Sequence, residues 1–146
     1  MKSPRSARLA LGYLFLSAAT IGLTATFAPH TFYADFPFLT HWVDLLPPYN
    51  EHLVTDVGGL YLGFAVLLAW AAWSLDRTLV QAVSAAWLLA ATIHLAFHAT
   101  HLGDFGTGDA IAEIASLALL LIPAPIAIWA TAPTGESSMA SGPQQG

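Results

Sequence analysis

The 146-residue chain contains no cysteine. That excludes disulfide scaffolds, thiolate zinc sites, iron–sulfur clusters and thiol redox chemistry. Basic residues are nearly as scarce: 4 Lys+Arg stand against 9 Asp+Glu, too few for the positive face that a nucleic-acid binder needs. Met1 and Met139 are the only thioethers, so a soft-ligand copper(I) site has no donors. Neither a His-Glu-x-x-His helix motif nor a Gly-x-Ser-x-Gly elbow occurs, which removes the zincin and α/β-hydrolase readings. Charged residues of both signs reach only 9%, against about 25% in soluble domains.

Apolar residues, by contrast, fill 56% of the chain, and the mean hydropathy is +0.63. They gather into four runs, uncharged over 9–28, 57–75, 79–102 and 114–132, which set helix spans of about 9–28, 56–75, 79–102 and 110–132. Each is near the ~20 residues a helix needs to cross ~30 Å of hydrocarbon, and too long for a barrel strand. The expected fold is all-α: an integral-membrane four-helix up-down bundle over 1–133, with a disordered, Ser/Gly/Pro/Gln-rich tail over 134–146. Lys2, Arg5 and Arg8 before the first run are also the start of a signal peptide. The run outlasts the ~7–15 residues of a cleavable h-region, however, and reads as a retained helix.

All four basic residues fall on one side of an up-down path, with Arg77 in the second connection. The positive-inside rule therefore places both termini in the cytoplasm of a bacterial inner membrane. The connection 29–52 is extracytoplasmic and aromatic, carrying Phe32, Tyr33, Phe36, Phe38, Trp42 and Tyr49. It is either a belt at headgroup level, with a short interfacial helix over Phe38–Leu46, or a lid over a site between the helices. Pro123 and Pro125 are expected to kink the fourth helix. Gly59 and Gly63 offer a small-xxx-small face for a membrane-protein partner or a second copy. Ala82, Ala85, Ala86, Ala90 and Ala91 offer the third helix a similar fit.

The ionisable residues segregate. All six histidines and seven of the nine acids lie on the side opposite the basic residues. On the second helix, Asp56 follows His52 at i+4, about 6 Å deeper. His94, His98 and His101 form one stripe at i, i+4, i+7 on the third helix, and Asp109 and Glu113 repeat the i, i+4 spacing on the fourth. Charged groups at that level should face the interior and pair. Three readings stay open. His94, His98, Asp56 and Glu113 are a mixed nitrogen/oxygen set for a divalent metal (Fe, Zn or Mn), with His52, Glu51, His101 and Asp109 as outer or entry ligands. Alternatively the same residues form a structural or proton-linked polar network in a non-enzymatic subunit or assembly partner. Finally, a lipid or quinone pocket lies under 29–52.

The segment Pro48-Tyr-Asn-Glu-His52, leading into Asp56-Val-Gly-Gly-Leu-Tyr-Leu-Gly63, resembles the small DoxX-like and related bacterial four-helix membrane families. Size, helix count and cytoplasmic termini fit the same resemblance. It implies a four-helix membrane fold and a respiratory or redox-stress setting, since some relatives are tied to quinone or sulfur redox chemistry.

Overall fold

Helix starts are written into the chain by capping residues. The Asn50 side chain accepts from the Leu53 amide at 3.1 Å, and the Asp76 carboxylate from the Leu79 amide at 2.8 Å. Each satisfies one of the amides that a helix N-terminus leaves unpaired. Proline stands in the first turn of three further helices, where its missing N–H costs nothing. The computed structural model describes residues 1–37, 40–46 and 48–134. The tail expected to be disordered lies, from residue 135 on, outside these.

Among the described residues every regular element is helical: α1 (Pro4–Phe27), α2 (Pro29–Asp35), α3 (Glu51–Ser74), α4 (Arg77–Ala99), α5 (Thr107–Leu119) and α6 (Pro123–Ala130). Four segments are long and apolar enough to cross a membrane: α1, α3, α4, and α5 with α6 taken as one span over Thr107–Ala130. Large apolar side chains lie exposed along all four, from Leu9 and Leu16 to Trp73, which is 81% exposed. Such surface is a liability in water and suits a hydrocarbon solvent. The chain is that of a multi-pass membrane protein.

The helices form a ring in which α1 contacts α3 and α6, and α4 contacts α3 and α6. Leu11, Leu14, Leu68, Val80, Val83 and Trp87 fill its core, with Ala18, Ala65, Ala71, Ala124 and Ala127 between them. The Ser3 amide donates to the Ala130 carbonyl at 3.0 Å, and Arg8 Nε to the Ala72 carbonyl at 3.3 Å. Lys2 lies 5.4 Å above the Trp129 ring. One end of the molecule is thus basic and closed, and the connection between α3 and α4 turns there. It is very short, as expected: Leu75, in the left-handed region at φ 51°, and Asp76 make the whole turn.

The closest approach is between α1 and α3, and the glycines that permit it are Gly22 and Gly58. A Cβ on Gly58 would stand 2.6 Å from the Thr26 amide nitrogen, and one on Gly22 would stand 2.9 Å from that of Leu62. Gly59 and Gly63, which the spacing singled out, have nothing within 4 Å of a built Cβ. They lie on the open side of α3, one residue round from the packed face. The alanines of α4 are displaced in the same way: Ala82, Ala85, Ala86 and Ala90 are exposed, and α4 buries Val80, Val83, Ser84 and Trp87 instead.

The fourth span breaks as its prolines predict, but upstream of them. Over Leu120–Ile122 the backbone closes i→i+3 bonds, and Pro123 then opens α6. The Leu120 carbonyl, left without an in-helix amide, accepts the Trp87 indole N–H at 3.0 Å. Broken helices persist at membrane depth where a neighbour supplies such a donor. The short helix expected over Phe38–Leu46 is corrected. Thr40–Leu46 runs through turns, Phe38 and Leu39 lie outside the described residues, and the helix of this connection is α2. Proline in the first turn of α2 presets helical φ, whereas the later stretch has no N-cap bond to start it.

Gly58→Ala is expected to cost about 1–3 kcal/mol by overpacking, and Gly59→Ala to stay within about 0.5 kcal/mol. Thermal unfolding of the two variants in the same detergent checks this.

Candidate polar site and adjoining cleft

Opposite the basic end, the helices part. There α5 has α4 as its principal neighbour, and its one buried residue is Glu113, 3% exposed. Across from it stands His98, 8% exposed. Nδ1 of His98 and Oε1 of Glu113 share a hydrogen bond of 2.6 Å. That length is in the range of charge-assisted bonds, roughly twice as strong as neutral ones. The other carboxyl oxygen, Oε2, is buried and has no protein partner. A carboxyl group oriented by one histidine therefore keeps a second acceptor for a water, a proton or a ligand atom. The helical stripe continues inward: the His94 ring lies edge-on to His98, with centroids 4.4 Å apart.

The other sequence-derived residues lie apart from this row. Asp56 pairs with His52 on its own helix at 3.4 Å, both well exposed. Glu51 occupies the first turn of α3, where a negative charge favours the helix dipole. His101 stacks on Phe97 with centroids 4.0 Å apart, and its Nδ1 donates to the Phe97 carbonyl at 2.8 Å. Asp109 accepts the Trp42 indole N–H at 3.2 Å, tying the aromatic connection to the start of α5. Of the proposed set His94, His98, Asp56 and Glu113, the structure brings three into one row and leaves Asp56 outside it. Among the described residues no three His, Asp or Glu side chains converge as a group able to hold a metal ion.

Where α3, α4 and α5 part, a cleft of about 200 Å³ opens between them. Tyr61 and Phe64 line it from α3, Trp87, Ala91 and His94 from α4, and Leu117 from α5. Trp87 is fixed in the wall by its indole bond and by edge-on contacts to Tyr61 and Phe64, at 6.1 and 5.7 Å between centroids. Sequence reasoning missed these aromatics. The available signal was Tyr61 and Phe64 at i, i+3 opposite a mid-helix Trp, whose N–H needs a partner wherever it is buried. A second hollow is lined by Leu45 and Leu46 of the aromatic connection together with His101, Gly103 and Asp104.

No protein-family model, curated protein or solved structure matches this chain.

Proposed function

We propose that the protein is a non-enzymatic component of a bacterial inner membrane, in which His94, His98 and Glu113 form a proton-linked polar clasp fastening α5 to α4. The observation that carries this reading is the buried His98–Glu113 bond, made by the one buried residue of α5. A carboxyl and an imidazole at that separation share a proton in one hydrogen bond.

Both termini and the Leu75–Asp76 turn belong on the cytoplasmic side, and the histidine end faces outward. All four Lys and Arg support this, since they begin or flank segments at one end of the ring. The absence of cysteine makes the orientation directly measurable. In spheroplasts a membrane-impermeant maleimide should label Gly103→Cys at once, and Thr134→Cys only after permeabilisation; the reverse pattern would invert the topology.

A second reading, a divalent iron, zinc or manganese site, draws on the adjacent His94 and His98 rings and the unpartnered Glu113 Oε2. Three donors are one short of the usual closed tetrahedral shell. Elemental mass spectrometry on protein purified without chelators, beside a His94→Ala/His98→Ala variant, separates the two. The clasp predicts no stoichiometric metal in either sample. It also predicts a stability loss of about 1–3 kcal/mol in the variant, because Glu113 is left buried and unpaired. Near-stoichiometric metal lost with the histidines would replace the clasp by a metal centre.

A further inference from the structure

We propose that the cleft between α3, α4 and α5 binds an uncharged, lipid-soluble molecule whose head is a single ring carrying a hydroxyl or carbonyl oxygen. Size sets the first limit. A dry cavity of about 150 Å³ takes benzene, whereas drug-sized ligands occupy roughly 300–1,000 Å³. At about 200 Å³ the cleft admits one ring with small substituents. The shape of the wall sets the second. Tyr61 and Phe64 each stand edge-on to Trp87, and the Leu120 carbonyl pins the Trp87 indole, so a rigid aromatic corner exists before any ligand arrives. Such corners favour flat partners.

Polarity sets the third limit. Two lining groups can hydrogen-bond, the Tyr61 hydroxyl on α3 and the His94 ring on α4, and neither makes a hydrogen bond to the described residues. Apolar sites use a few such groups to fix orientation. A ligand oxygen would find its hydrogen-bond partner in one of these two groups, in a wall that is otherwise apolar. A charged head is disfavoured, because every Lys and Arg belongs to the basic end and no Asp or Glu among the described residues lines the cleft. Access comes from the hydrocarbon side: Leu60 on the rim is 69% exposed, and His94 itself is exposed. The site rests on the clasp for the wall that α5 supplies and shares His94 with it, while the bond that fastens α5 is the one between His98 and Glu113.

The test uses 4-bromophenol and bromobenzene as probes of the purified full-length protein, with heavy-atom quenching of tryptophan fluorescence as the readout. The expected result is saturable quenching by 4-bromophenol. Bromobenzene should bind about tenfold more weakly, the equivalent of roughly one hydrogen bond. His94→Leu should remove the difference between the two probes, and Ala91→Leu, which fills the cleft, should abolish saturation at unchanged thermal stability. Non-saturable quenching that is equal in all three proteins is partition into detergent, and overturns the site. Equal affinity for both probes in the wild type overturns the oxygen contact. Either failure in a protein whose α5 amides remain protected from exchange leaves the clasp standing, so the two ideas fail separately.

Discussion

One hydrogen bond decides how the fourth span is attached at the histidine end. Apolar packing cannot do it there, because α5 buries a single residue, and that residue is the acid Glu113. Within a bilayer the hydrocarbon is as good a neighbour for Ile111 or Leu119 as another helix is, so helices associate by close fit and polar contacts. At the basic end a close fit joins α1, α3, α4 and α6, whose small and branched side chains interlock, and α1 and α3 keep it toward the other end through Gly22 and Gly58. For α5 it is replaced there by His98 and Glu113.

The division explains the rest of the architecture. The break at Leu120–Ile122 lets α6 follow the ring while α5 diverges from it, and Trp87 repairs the carbonyl that the break exposes. Divergence of α5 opens the cleft, and Trp87, Tyr61 and Phe64 keep it from collapsing. The aromatic connection closes over the same end through Trp42 and Asp109, so α5 is held at its start by the loop and at its second turn by the clasp. Structure and binding surface arise from the same departure from a regular bundle.

Much of this was legible in the chain. Four apolar runs, the kinking prolines and the short turn near Asp76 are local signals, and they appear within a few residues of where the sequence puts them. Segregation of the histidines and acids to one end follows from an up-down path of four helices, which puts His98 and Glu113 at similar depth, and the structure pairs these two. Helix rotation was less legible. Gly58 and Gly59 are adjacent and chemically identical, yet one meets the α1 backbone and the other meets nothing. An all-apolar helix carries little amphipathic signal to say which side is inward. Asp56 shows the same limit: its rotation gives it to His52 on its own helix. The cleft was illegible because it is made by separation, where α5 leans on α4 and leaves a gap toward α3.

The most direct measurement is amide hydrogen exchange, resolved by helix, in wild type and His98→Ala at matched detergent and pH. If the clasp holds α5, exchange accelerates over residues 107–119 while 123–130 and α1 keep their protection. Unchanged protection of 107–119, or a uniform loss over every helix, would contradict it.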